Sequence, residues 1–255
     1  MTSTHQRTSD VATIAPIDHH DGMRLFASEL QRNLDLMRNL SAEDWTRQTE
    51  CPDWDVRRMY LHVLGACESG ASMRELAHQL LAARRYQRRN GGPQEAALSA
   101  TQVAERIALT PDRLTARFEA VAPLTVNRRT RLPSLLRKAQ MAVDGPVVEK
   151  WSVGYLIDVI YLRDAWMLRI DVTRATGAAL DLTPEHDGRI VADVVAEWAR
   201  RHGEAFTLVL SGPAGGTFTA RGGASQPIAV DAVDFCRTLA GRAPGQGLLE
   251  TIVPF

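Results

Sequence analysis

The sequence predicts a helical bundle followed by a small α+β unit, an α + (α+β) architecture. Up to residue 177 apolar residues recur at helical spacing. After residue 180 one further helical pattern gives way to short β-branched runs separated by glycine-rich turns. The stretch 151–177, WSVGYLIDVIYLRDAWMLRIDVTRATG, reads as one long apolar helix carrying Asp158, Arg163, Asp164, Arg169 and Asp171. Charges on a buried helix need partners, because an unpaired buried charge is costly.

Residues 1–17 are polar and predict a disordered tail. The first helix is expected over 21–40, where Leu25, Leu30, Leu34, Met37 and Leu40 form a stripe. Residues 49–55 form a loop, with Asp55 as N-cap of a second helix starting at Val56. That helix carries His62 among small neighbours and is expected to run toward Arg89, with a break near Gly70. Its basic end, Arg84 to Arg89, stops at Asn90-Gly91-Gly92-Pro93 and reads as a solvated terminus. Residues 95–123 are helical again, punctuated by the N-cap and N1 pair Thr110-Pro111. A basic connector is expected over 126–131, a helix from Pro133 through Ala142, and a turn at Asp144-Gly145-Pro146.

Beyond the long helix, Thr183-Pro184 opens an amphipathic helix through Arg201. Strands follow over 206–210, 217–220 and 227–230, then a helix over 232–239 capped by Asp231. The expected domains are therefore a tail over 1–17, a helical bundle over 18–180 and an α+β domain over 181–255.

Composition excludes several functions. The 255 residues are 45% hydrophobic and 24% charged, ordinary for a globular chain. Lys+Arg and Asp+Glu balance at 30 each, which argues against a nucleic-acid or anionic-membrane partner recruited by bulk charge. No stretch approaches the roughly 20 apolar residues of a membrane span, and the first residues lack a signal-peptide core. A cytoplasmic location is expected. Cys51, Cys67 and Cys236 are odd in number, widely spaced and without a CxxC pair, so reduced thiols are expected.

Trp45, the run Cys51-Pro52-Asp53-Trp54-Asp55-Val56-Arg57 and the run Leu61-His62-Val63-Leu64-Gly65 resemble the N-terminal signature of the mycothiol-dependent maleylpyruvate isomerase family. That family belongs to the DinB-like metalloprotein superfamily. The long helix resembles its second signature. Val230 to Arg237, Gly241-Arg242 and the terminal Val253-Pro254-Phe255 resemble its C-terminal domain. The resemblance implies a DinB-like four-helix bundle and a small sterol-carrier-like α+β domain. It also implies a divalent metal, usually zinc, held by a helix-two histidine and by an acid and a histidine four residues apart on the long helix. His62 and Asp164 match two of these ligands, and the third position falls on Leu168, which cannot ligate. Asp158, Asp171, His19 and His20 are the remaining groups near enough in pattern to be considered, and none has the expected spacing. Arg242, and after it Arg237, matches the cation expected for an anionic substrate or cofactor group; Arg242 and Asp164 are the implied catalytic residues.

Two functions follow, and a metal-free enzyme using Asp164 or His62 as acid or base is a third reading. One is a thiol-dependent isomerase or S-transferase that uses mycothiol and a small electrophile. The other is a non-catalytic small-molecule binding protein on the same scaffold, in which Leu168 floors an apolar pocket. From the residues alone, His62 can equally be a core histidine and Asp164 a member of an ion-pair network with Arg163 or Arg169. Trp54, Trp151 and Trp166 read as packing residues. Monomer and homodimer both remain open.

Overall fold

A computed structural model describes residues 8–144 and 148–255. The described chain divides into two compact units, one of residues 18–179 and one of residues 8–17 with 180–255. The expected turn at residues 144–146 lies largely outside the described residues.

The larger unit is helical. Helix α1 (His19–Asn39) is capped by Asp18, whose carboxylate accepts from the Asp21 N–H at 2.8 Å. Helices α2 (Val56–Ala71) and α3 (Met73–Asn90) are separated at Ser72, whose extended backbone ends one helix and caps the next. Helices α4 (Gln94–Arg106) and α5 (Pro111–Thr130) follow. The expected connector over 126–131 is instead the last turn of α5. The stripe Leu114, Phe118, Ala122, Thr125 and Arg129 is buried throughout, and this packing carries the helix through Pro123 to its end.

The next stretch departs from the sequence expectation. Only Ser134–Arg137 is helical (α6), and Gln140–Asp144 (β2) pairs antiparallel with Val148–Ser152 (β3). Trp151 and Ser152 therefore belong to a strand, and the long helix begins after them. It is made of α7 (Val153–Tyr155), a wider π turn (Leu156–Ile160) and α8 (Tyr161–Thr176), closed by Gly177 at φ 73°. At the π turn α1 comes very close: a Cβ on Gly22 would lie 2.6 Å from the Asp158 carbonyl oxygen, so only glycine fits there. Helices α1, α2, α5 and α8 surround one core, in which Leu25, Leu61, Leu64, Phe118, Leu162 and Trp166 are almost fully buried.

The smaller unit is α/β. Its sheet has the order β1-β5-β4-β6, with strands Thr8–Asp10, Gly216–Ala220, Phe206–Ser211 and Ile228–Asp231. Strand β4 runs antiparallel to β5 and parallel to β6, with Leu208 opposite both Phe218 and Ile228. Helix α9 (Arg189–His202) and helix α10 (Ala232–Leu239) supply the rest of the core. There Trp198 meets Phe206 and Phe235 at ring-centroid distances of 4.7 and 5.3 Å. The disordered tail expected over 1–17 is corrected for residues 8–17. Strand β1 pairs parallel with β5, and the Ile17 N–H is directed at the Asp193 carboxylate at 3.3 Å.

Candidate functional site

Helix α2 begins at a tightly held loop. The Gln48 amide donates to the carbonyls of Cys51 and Trp54 at 2.7 and 3.0 Å, and Thr49 Oγ1 donates to the Trp54 carbonyl at 2.6 Å. Asp55 then caps the helix by accepting from the Arg58 N–H at 2.7 Å. This loop sets the Trp54 ring 5.0 Å from the His62 ring, centroid to centroid. Trp54 thus shapes the surroundings of His62, a role beyond the packing expected of it.

Burial along the two facing helices locates an opening. From residue 59 to residue 69 every position on α2 is buried except His62 and Ala66, which lie one turn apart. From residue 162 to residue 173 every position on α8 is buried except Asp164. Those gaps meet: His62 Nε2 lies 3.7 Å from Asp164 Oδ2. The separation is too long for a hydrogen bond, so both atoms can still engage a third group. The other ring nitrogen, Nδ1, is buried without a partner.

Arg169 and Asp158, two other charges of the long helix, are held elsewhere. Arg169 grips Glu29 of α1, Nε to Oε1 at 2.6 Å and Nη2 to Oε2 at 3.1 Å. Asp158 accepts from or pairs with His19 Nδ1 at 2.7 Å and has Arg137 at 3.6 Å. His19 is thereby committed away from the His62–Asp164 pair. Glu29 was missed by sequence reasoning, although it stands four residues after Leu25 on the apolar stripe, where a carboxylate signals a buried partner.

A metal held as the family resemblance implies does not fit these residues. Leu168 is 3% exposed and offers no ligand atom. Among the described residues no third His, Cys, Asp or Glu atom gathers with His62 and Asp164 within ligand distance. Catalytic zinc ordinarily takes three protein ligands and keeps one position open. The pair His62–Asp164 remains a juxtaposed base and carboxylate.

Cys67 lies on α2 one turn and a residue beyond His62. Burial pushes its thiol up to about 12. It is therefore protonated at neutral pH and unsuited to nucleophilic work. A shallow depression of about 580 Å³ bordered by Gln48, Glu50, Thr173 and Arg174 lies at the end of α8 and includes neither His62 nor Asp164. Its two charges already pair, Arg174 Nε to Glu50 Oε1 at 3.0 Å.

Arg237 and Arg242 belong to the α/β unit. Arg237 is buried and donates to Asp234 Oδ1 at 2.8 Å, while half-buried Arg242 gives its backbone N–H to the Arg237 carbonyl at 2.9 Å. No described helix is long and apolar enough to cross a membrane. The basic residues Arg84, Arg85, Arg88 and Arg89 on α3 are exposed.

Residues 26–173 match the profile of the mycothiol maleylpyruvate isomerase N-terminal domain, over half of the chain. Two solved structures resemble the whole: a mycothiol-dependent maleylpyruvate isomerase, and a histidine-to-alanine mutant described by the same name. Each has a TM-score of 0.57 and covers 92% of this chain and 93% of its own, at 12% identity for the first and 11% for the mutant. Identity this low makes them witnesses to the fold alone. No curated protein sequence matches the chain significantly.

Proposed function

The chain belongs to the mycothiol maleylpyruvate isomerase family, and from that premise we propose that it is a thiol-dependent isomerase or S-transferase acting on a small electrophile at the His62–Asp164 pair. The observation that carries this reading is the meeting of the two openings on α2 and α8 at a histidine and a carboxylate 3.7 Å apart. The helical unit is then a DinB-like bundle and the α/β unit a sterol-carrier-like domain. Arg242, and after it Arg237, supplies a cation to an anionic group of the thiol or substrate, and the protein works in the cytoplasm.

The thiol comes from outside the chain, since Cys67, the cysteine that shares α2 with His62, is held protonated. His62 Nε2 takes the proton of the bound thiol, mycothiol by family. Asp164 stabilises the imidazolium that forms. The sulfur lone pair makes an S–C bond to the electrophile while the π electrons of its double bond move onto the activating carbonyl. Rotation about the new single bond, expulsion of sulfur and return of the proton from His62 give isomerisation. Protonation of the carbon instead keeps the S–C bond and gives S-transfer. General base catalysis of this kind contributes about 10²–10⁴-fold.

The test is turnover of maleylpyruvate with mycothiol by the full chain, beside His62→Ala and Asp164→Asn. The expected result is thiol-dependent turnover that falls about 10²–10⁴-fold in His62→Ala. Undiminished turnover in that variant removes His62 from the chemistry. Leu168 favours a second reading, a non-catalytic binding protein with an apolar pocket floor. Saturable mycothiol binding with no turnover of any activated alkene would select it.

A further inference from the structure

Arg129 is a buried cation that the chemistry above does not use. It sits on the last turn of α5 and is 5% exposed. Its guanidinium carbon lies 4.0 Å from the Tyr161 ring centroid and 4.9 Å from that of Phe26. Of its donors, Nη2 reaches the Ala66 carbonyl at 3.4 Å, and Nη1 is buried with no partner. No carboxylate among the described residues lies within ion-pair distance of it. Two other buried arginines show the ordinary solution: Arg169 holds Glu29, and Arg106 holds both Glu68 and Glu75. A buried guanidinium without a carboxylate is costly, because charges removed from water are normally paired.

The surroundings are built for this group. A Cβ at Gly70 would lie 3.0 Å from both Nε and Nη2 of Arg129 and 2.7 Å from Thr125 Cγ2, so glycine is what makes room on α2. Ala66, Gly70 and Tyr161 are each only half-buried, which continues the opening at His62 and Asp164 along both helices. Ala66 follows His62 by one turn on α2, and Tyr161 precedes Asp164 by nearly one turn on α8. Arg129 is thus about one helical turn, ~5.4 Å, along the opening from the His62–Asp164 pair. Burial lowers the affinity of Arg129 for its proton, opposed in part by Tyr161, Cys67 and Asp164.

We propose that Arg129, seated between Tyr161 and Phe26 beside Gly70, is the binding site for a compact oxyanion, a carboxylate or a comparable group, entering between α2 and α8. The guanidinium presents a planar fork matched to an oxyanion, and Nη1 is the donor left for it. An organic ligand held there by its carboxylate extends its next atoms toward His62 and Asp164, whereas a free inorganic anion simply neutralises the guanidinium. The assignment stands without the thiol chemistry, and its test uses neither thiol, metal nor turnover.

Acetate and inorganic phosphate are titrated separately into the full chain at constant ionic strength. The readout is the Arg129 N–Hε resonance, identified by its absence in Arg129→Gln. A saturable shift with acetate binding the tighter assigns the site to an organic carboxylate; phosphate the tighter assigns it to an inorganic anion. Gly70→Ala, which displaces the guanidinium without removing it, is expected to weaken binding at least about tenfold, the scale of one charged hydrogen bond. It also serves should Arg129→Gln fail to fold. No saturable shift in the wild-type chain, or unchanged affinity in Gly70→Ala, overturns the assignment.

Discussion

Leu168 shows how much one side chain can redirect a site. It stands four residues after Asp164, on the same face of α8, at the position that the family resemblance assigns to a histidine ligand. The wild-type chain is expected to hold less than about a tenth of an equivalent of zinc after purification without chelator, since two ligands make a weak site. Leu168→His is expected to raise this to near one equivalent, read by metal analysis and by a zinc-dependent rise in unfolding temperature. His202 is a second residue with a measurable signature. Burial lowers its pKa from 6.5, and its Nδ1 accepts the Glu204 N–H at 2.9 Å, which requires that nitrogen to be unprotonated. The unfolded chain therefore binds the proton more readily. The stability contributed is present above the unfolded value of 6.5 and is lost as pH falls through the lower folded value. The urea midpoint of the α/β unit should drop between pH 7 and pH 5, by less in His202→Gln.

At the scale of the element, α8 is held by pairs more than by its own propensity. Glu29 and Arg169 lock α1 to α8 in a fully buried, two-point contact, and Asn33 adds a bond from its amide to the Ala165 carbonyl at 3.2 Å. Glu29→Ala removes the two-point carboxylate partner of a buried guanidinium and is expected to cost about 3–5 kcal/mol in chemical denaturation. Adding Arg169→Met should recover much of that loss, because most of it is the desolvated charge deprived of Glu29 and not the missing bond. The helical periodicity of 153–176 was legible, and so were Asp55, Thr110 and Gly177 as helix ends. The strand at 148–152 was not. Its residues Glu149, Lys150 and Trp151 carry no strong pattern, and only the pairing of Glu149 with Val143 and Trp151 with Met141 decides their conformation. The last turn of α5 was missed for a related reason. Arg128 and Arg129 look like a solvated basic run, yet Arg129 falls on the Phe118–Ala122–Thr125 stripe and is buried with it.

For the whole molecule, the two units are not two consecutive stretches of chain. Residues 8–17 precede the helical unit in sequence and belong to the α/β unit, with Thr8, Ser9 and Asp10 aligned to Thr217, Phe218 and Thr219. Removing residues 1–10 leaves β5 as an uncovered edge, losing ladder bonds worth about 1 kcal/mol each. Hydrogen exchange is expected to quicken at the β5 amides while the α1–α8 core of the helical unit is unaffected. The sequence by itself determined most of the helices, with Asp55, Thr110 and Gly177 at their ends, and the three C-terminal strands, while His62, Asp164 and Leu168 stood out as candidate ligand positions only through resemblance to a family. The helices and strands are properties of local periodicity and of turn chemistry. The tertiary structure alone decided that β1 joins β5, that Glu29 answers Arg169, that Trp54 lies against His62, and that Arg129 is buried without a carboxylate. The first two join groups distant in sequence, and all four depend on burial and geometry that no single stretch of chain encodes.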